Sequence, residues 1–306
     1  MSELSIRKVA VIGFGEAGSI LAEDLAARGC EVVTYDILFE VPASSGPMLE
    51  KGRRAHVQTA ANFNEAVQGV DLVIAAVTAS SSSEVAGNAA KVLRAGQIFL
   101  DINSCSPATK RANAQQVQHS GAAYVEAAVM APVPPQRLKV PMLLGGRRAT
   151  EVAMTLNGLG MNATAICEEI GVASAVKMCR SIVIKGLEAL SVESLLAARR
   201  FGAEQQVLAS LQATFPQMGW LEKLPDYLVS RVAEHGRRRA AEMREVAHTL
   251  EEVGMEPVMA LATAVRQDWL IDAMAAHEVS YPQGQPFSWR WLADCLAKES
   301  GGTENS

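Results

Sequence analysis

Excess charge, aromatic side chains and long apolar runs are all scarce in this chain, and each shortage removes a class of function. The 28 lysines and arginines are outnumbered by 33 aspartates and glutamates, so a net charge of −5 leaves no basic footprint for nucleic acid. Aromatic residues amount to 5%, too few for base-stacking platforms, whereas 12 methionines suit adaptable helical packing. No apolar run approaches the roughly 18 residues that span a bilayer, so no membrane association is expected. Five cysteines, Cys30, Cys105, Cys167, Cys179 and Cys295, are odd in number and lack any CxxC or Cys/His ligand spacing. They read as free thiols of a cytoplasmic protein that binds no structural metal. No short repeat is present, and the tail-like stretch is Gly301 to Ser306.

What is present is an ordinary globular enzyme composition, 49% hydrophobic and 20% charged over 306 residues, enough for two domains. The charged pair Arg7 and Lys8 ahead of an apolar run gives the start a slight likeness to a signal peptide. That run passes straight into a glycine turn and so belongs to the fold. The turn is Gly13-Phe14-Gly15-Glu16-Ala17-Gly18, preceded by a strand-like Arg7 to Ile12 and followed by a helical pattern through Ile20, Leu21, Leu25 and Arg28. Gly13 permits the tight turn, Gly15 lets the backbone approach a diphosphate, and Gly18 allows close helix–strand packing. Unpaired N–H groups at the helix start then meet the phosphates.

Asp36 closes the next strand, Glu31 to Tyr35, where a carboxylate accepts hydrogen bonds from adenosine ribose hydroxyls and repels a 2′-phosphate. Ile37, Leu38 and Phe39 offer no arginine to offset it, so NAD is expected over NADP. The alternative is that Asp36 only ends a strand while Arg53 or Arg54 folds back to hold a phosphate.

Strand and helix then alternate. Asp71 to Val77, Gln97 to Asp101, Ala122 to Ala127, Pro141 to Gly145 and Asn162 to Cys167 read as strands. Ser82 to Arg94, Pro107 to Ser120 and Arg148 to Leu159 read as helices. The pattern predicts a parallel, doubly wound α/β sheet with ligands beyond the carboxyl ends of its strands, near Val77, Thr78, Asn103, Ser104 and the loop after Ala128. Ser80 to Ser83 either cap the following helix or meet the cofactor, capping being the simpler role. Beyond Gly171 no strand is convincing. Helices are expected over Gly171 to Arg200, Asp226 to Glu252 and Pro257 to Ala276. The expected division is therefore a dinucleotide-binding Rossmann domain, residues 1–168, and an all-α substrate and dimerisation domain, residues 169–306.

Lys177 lies in the first turns of the long helix, just after the expected hinge, and Arg180 shares its face. A lysine exchanges protons near neutral pH when a desolvated site or a second positive charge favours the neutral amine. On position alone a helix lysine is as readily a solvated surface residue. His235, Arg238 and Glu242 share a face of a later helix opposite the stripe Val229, Val232, Ala240, Met243, Ala247 and Leu250, which fits a solvated polar face or a substrate contact. Arg239, at the edge of that stripe, fits pure surface less well.

In this order the motifs resemble those of the β-hydroxyacid dehydrogenases, the group that includes 3-hydroxyisobutyrate and 6-phosphogluconate dehydrogenases. Asp101-Ile102-Asn103-Ser104-Cys105-Ser106-Pro107 is similar to the family's Asp-x-Ser-Thr/Ser-x-x-Pro segment, which touches nicotinamide and substrate. Val125 to Val129 resembles its Asp-Ala-Pro-Val strand, and Gly171 to Lys177 resembles the glycine-led helix with the catalytic lysine. The resemblance implies that Lys177 is catalytic. Met130-Ala131-Pro132 replaces the family's carboxylate-holding Ser-Gly-Gly turn, Arg180 and Ser181 replace an Asn pair, and Ala241-Glu242 fall near a Lys-Asp pair. These departures resemble a phosphogluconate dehydrogenase-like branch with its own C-terminal domain.

The fold is expected to transfer and the substrate is not. Arg180 is the natural replacement anion holder, with Met130, Ser104, His235, Arg238 and Arg239 as further substrate candidates and the Arg237 to Arg239 region as its rival. The first function expected is NAD(P)-dependent hydride transfer at the CH–OH group of a small hydroxy acid. Alternatives are a ketone or imine reductase without a carboxylate requirement, and a non-catalytic dinucleotide sensor. A homodimer or higher homo-oligomer is expected from the apolar C-terminal helices and the related family.

Overall fold

The apolar run before the glycine turn forms β1 (Lys8–Ile12), central to an eight-stranded sheet in a computed structural model that describes residues 4–297. The other strands are β2 (Glu31–Tyr35), β3 (Gln58–Thr59), β4 (Leu72–Ala75), β5 (Ile98–Asp101), β6 (Ala123–Val129), β7 (Pro141–Gly145) and β8 (Asn162–Cys167). Their spatial order is β3-β2-β1-β4-β5-β6-β7-β8. Order reverses between β1 and β4, so the chain ends of those two strands border a topological switch point, where sheets of this kind take ligands.

Because side chains alternate across a strand, β1 feeds two cores. Val9 and Val11 pack with Leu21 and Leu25 of α1 (Glu16–Ala27) and with Val152 and Leu156 of α7 (Ala149–Gly158). Ala10 and Ile12 face the other way, in a cluster with Ala86 and Ala89 of α4 (Ala79–Val92) and Ala114 and Val117 of α5 (Pro107–Gln118). Two-sided burial explains why β1, β4 and β5 read as continuous apolar runs.

The sheet departs from the all-parallel expectation at one place, since β7 runs antiparallel to β6 and β8 then follows β7 in parallel. The connection between β6 and β7 holds only α6 (Val133–Gln136) and a 3-10 turn, Arg137–Lys139, too little chain for a crossover that would restore the direction. Also in this unit are α2 (Pro42–Arg54) and α3 (Phe63–Val67).

The chain divides into two compact units, Met1–Met178 and Cys179–Ser306, and the division falls inside the long helix α8 (Val172–Arg200). The second unit contains α9 (Glu204–Thr214), α10 (Leu224–Glu251), α11 (Val258–Ala276) and α12 (Trp289–Ala297), and no strand among its described residues. Its core gathers Val192, Leu195, Val229, Val232, Leu270, Trp289 and Leu292. α10 and α11 approach closely at Gly236, where a Cβ would lie 2.6 Å from Ile271 Cγ1 and 2.9 Å from the Gln267 carbonyl oxygen. His235, just before, leaves helical geometry at φ −130° and ψ 16°, which kinks α10. The expected tail, Gly301 to Ser306, lies outside the described residues.

Candidate functional site

The three glycines of the opening turn sit in three different environments. Gly13 has φ +94°, and a Cβ there would lie 2.4 Å from the Ala76 carbonyl oxygen; a Cβ on Gly18 would lie 1.9 Å from the Gly13 carbonyl oxygen. Gly15 faces open space, with nothing within 4 Å of where a Cβ would stand. Gly15 is also the cap position of α1 and supplies no capping side chain to the helix start at Glu16, Ala17 and Gly18. An open approach at a positively polarised helix start fits a dinucleotide diphosphate.

Asp36 stands beside this turn. One carboxylate oxygen accepts from the Phe14 N–H at 2.6 Å and the other from the Leu38 N–H at 3.0 Å. Each oxygen keeps a lone pair for a ribose hydroxyl. Arg53 and Arg54 do not fold back: both are exposed and paired with Glu50, at 2.7 and 3.2 Å. The residue that does reach the turn is Lys51, whose ammonium donates to the Phe14 and Gly15 carbonyl oxygens at 2.9 and 3.1 Å.

Across the switch point, the Val77 N–H donates to Asn103 Oδ1 at 2.7 Å, joining the ends of β4 and β5. Thr78 holds the cap position of α4, its hydroxyl 2.9 Å from Ser80 Oγ and 3.1 Å from Ser81 Oγ. The helix begins at Ala79, earlier than expected, so Ser80 to Ser83 lie within its first turns instead of capping it. Ser82 is buried and accepts from the amide groups of Asn103 and Asn113 at 3.3 and 2.9 Å.

Beneath the Asn103–Ser104 turn lies a buried ion pair, Asp101 and Lys110, 2.8 Å apart with side chains at most 1% exposed. Asp101 also accepts from the Asn103 N–H at 2.9 Å and the Tyr124 hydroxyl at 2.7 Å. Burial pushes the Asp101 carboxyl up, but the Lys110 ammonium and these donors outweigh it and hold it below the usual carboxylate range. The same burial, with the Asp101 charge alongside, pushes the Tyr124 hydroxyl well above its ordinary value.

Ser104 emerges from that turn, and Lys177 Nζ donates to its Oγ at 2.5 Å. The start of the lysine's helix is pinned by a second buried carboxylate. Glu126, on β6, accepts from the N–H groups of Gly171 (2.6 Å), Ala173 (3.1 Å) and Ser174 (3.3 Å) and from the Ser174 hydroxyl (2.9 Å). A carboxylate on those N–H groups satisfies donors that have no intrahelical partner and complements the helix dipole. Met130 is half-buried, and its N–H is spent on the Pro141 carbonyl oxygen at 2.8 Å.

Arg180 is exposed and belongs to the second unit. Within that unit, Arg239 is buried and its guanidinium grips both oxygens of Glu188, so its fork is occupied. Burial pushes the Glu188 carboxyl up against the opposing pull of Arg239. Lys185 pairs with Glu242 at 2.5 Å, and burial lowers its ammonium pKa despite that partner. His235 is half-buried at the kink, 3.3 Å from Glu234, while Arg238 is exposed. Arg237 binds Asp268 and Asp272. Among the described residues, no group of three or more His, Cys, Asp or Glu is placed to hold a metal, and no helix is long and apolar enough to cross a membrane.

Comparison with known proteins agrees with this geometry. The family model described as the NAD binding domain of 6-phosphogluconate dehydrogenase matches residues 8–154, and a domain of unknown function, DUF1932, matches residues 198–270. A crystal structure of a conserved hypothetical protein from Sinorhizobium meliloti 1021 is 37% identical, with TM-score 0.75 over 96% of this chain and 97% of that one. The conserved protein MTH1747 of unknown function, described as structurally similar to 3-hydroxyacid dehydrogenases, is 34% identical, with TM-score 0.69 over 88% of this chain and 98% of its own. Mitochondrial 3-hydroxyisobutyrate dehydrogenase of Bos taurus is 22% identical, and the match spans 66% of this chain and 60% of that enzyme.

Fold and glycine turn together define a nicotinamide dinucleotide-binding oxidoreductase, Rossmann-like in its first unit and helical in its second. The chain belongs to the β-hydroxyacid dehydrogenase family, in a branch whose C-terminal region carries the domain of unknown function.

Proposed function

We propose that the protein oxidises the CH–OH group of a small hydroxy acid or related alcohol, or runs the reverse reduction, with Lys177 moving the hydroxyl proton and NAD preferred to NADP. The observation that carries this reading is the 2.5 Å hydrogen bond from Lys177 Nζ to Ser104 Oγ. It sets an amine against a hydroxyl on the turn that follows β5, at the end of the sheet where ligands of such folds sit. A bound nicotinamide supplies the hydride acceptor or donor. Ser104 orients the amine, and Asn103, tied to Val77, shapes the turn. Arg180, one turn beyond Lys177, is assigned to the substrate's anionic group.

The experiment is turnover with NAD against hydroxy acids, diols, sugar acids and alcohols that lack a carboxylate, and with NADH against carboxylate-free ketones and imines. Activity confined to the acids supports the reading. Turnover of carboxylate-free ketones or imines alone overturns the substrate class, and NADH binding with no turnover anywhere favours a sensor.

Cofactor preference is a separate expectation resting on Asp36. Titration of intrinsic fluorescence should show tighter binding of NADH than NADPH. Asp36→Ala with Ile37→Arg should tighten NADPH about tenfold to a hundredfold, the range of one charge-assisted hydrogen bond. Equal affinities in the unaltered protein count against Asp36.

The protein is further proposed to act as a homodimer. Val258, Leu261, Val265 and Trp269 fall at i, i+3, i+7 and i+11 of α11, and all are exposed, from 37% to 67%. A continuous apolar row of this kind is characteristic of an association face. Sedimentation at micromolar concentration should give about twice the chain mass of 32.6 kDa. A monomer contradicts it, and Val265→Glu should dissociate the pair.

A further inference from the structure

Lys51 lies near the end of α2, outside every motif that marks the cofactor site, yet its side chain crosses to the glycine turn. Its ammonium touches two successive carbonyl oxygens, Phe14 at 2.9 Å and Gly15 at 3.1 Å, and stands 5.0 Å from the centre of the Phe14 ring. Its basic neighbours Arg53 and Arg54 share a pairing with Glu50, whereas Lys51 forms no ion pair within 4 Å among the described residues. Partial burial lowers its pKa, partly offset by the more distant charges of Asp36 and Glu16. A half-buried cation held by carbonyls and a ring face costs solvation that these carboxylates return only in part.

Peptide geometry dictates the consequence for the turn. In a trans peptide the carbonyl of one residue and the N–H of the next point in opposite directions, and there are no cis peptides among the described residues. The Gly15 carbonyl also accepts from the Ser19 N–H and hydroxyl at 3.2 and 2.7 Å, so the helix itself orients the next peptide, whereas the ammonium on the Phe14 carbonyl turns the Gly15 N–H away from itself. That N–H then lies on the side of the turn away from Lys51, and a Cβ built at Gly15 would meet nothing within 4 Å. The Phe14 residue is restrained on its other side too, because its N–H is held by Asp36 at 2.6 Å.

We propose that Lys51 is a cofactor-positioning residue, clamping the turn from behind so that the Gly15 N–H is aimed at the diphosphate of the dinucleotide. The clamp rests on the reading of this turn as the dinucleotide site. It acts on the diphosphate common to both cofactors, not on a 2′-phosphate. Its added positive charge also favours a dianionic group at the helix start.

The test is calorimetric titration of the full chain with NADH, NADPH and ADP-ribose, using Lys51→Met, Lys51→Gln and Lys51→Arg. Lys51→Met should raise Kd about tenfold for all three ligands by the same factor, in the range of one charge-assisted hydrogen bond. Lys51→Arg, which keeps donors and charge, should stay within about threefold of the unaltered protein. Lys51→Gln should fall between the two and serves if the methionine variant does not fold. Unchanged Kd values in the Met and Gln variants overturn the clamp. A loss confined to NADPH also overturns it, placing the ammonium at a 2′-phosphate. If the unaltered protein binds none of the three, the dinucleotide reading fails with it. Parallel unfolding curves without ligand separate the clamp from general loss of structure, since the clamp predicts weakened binding at temperatures where every variant is fully folded.

Discussion

Lys177→Met is expected to lower turnover by roughly 10²–10⁴ while NADH still binds and the fold persists. Methionine keeps the length of the side chain and removes only the amine, and with it the 2.5 Å hydrogen bond to Ser104 Oγ. The helix start does not depend on that bond, because Glu126 holds Gly171, Ala173 and Ser174 independently. In the proposed oxidation the carbinol hydroxyl would give up its proton to the neutral amine as hydride leaves the same carbon, and in reduction the ammonium would return it. The rate of oxidation therefore climbs with pH until the amine is deprotonated, and that limb should vanish in the variant. Ser104→Ala should retain the limb and lose less turnover, since it removes the orienting partner but leaves the base. Unchanged turnover in Lys177→Met, measured on a substrate the unaltered protein accepts, would refute the assignment and the mechanism built on it.

The parts of this molecule that were legible in the sequence are those that local chemistry writes. The glycine turn, Asp36 at a strand end and the glycine-led start of α8 each depend on a few consecutive residues, and spacing alone reveals them. The direction of β7 was not legible, because it depends on how little chain joins it to β6. Gly46 and Pro47 hide α2 behind residues that usually break helices, though the helix runs through both. Lys51 was hidden with it. The groups that organise the candidate site act at long range: Lys51 reaches back 37 residues and Glu126 reaches forward 45 to Gly171. No periodicity encodes such pairs. A charged residue inside an apolar strand, as Glu126 is in Val125 to Val129, is the one available hint, because a carboxylate there must find donors. His235 shows the opposite failure, since a helical face drawn through His235, Arg238 and Glu242 presumes a regular helix and the chain kinks at the first of them.

Lys110→Met is expected to cost about 3–5 kcal/mol of stability at neutral pH, the penalty for stranding one charge of a buried pair. Asp101 is fully buried, and its carboxylate would keep only the Asn103 N–H, the Tyr124 hydroxyl and weaker side-chain donors at Ser82 and Asn113. The pH dependence follows from the sign of each shift. In the unaltered protein the folded carboxyl is depressed, so its contribution is present above the unfolded value of about 3.9 and is lost as pH falls through the folded value. Without Lys110, burial dominates and raises the carboxyl instead, so the variant gains relative stability as pH falls. The gap between the two proteins should therefore narrow from pH 7 toward pH 4, read from denaturant midpoints at each pH. Adding Asp101→Asn to Lys110→Met removes the stranded charge and should recover much of the stability, a coupling that a double-mutant cycle measures. A constant gap across pH would mean that Lys110 matters for packing alone. Such a result would deny the ion pair its place in this network: an electrostatic floor beneath Asn103 and Ser104, fixing the turn against which Lys177 is set.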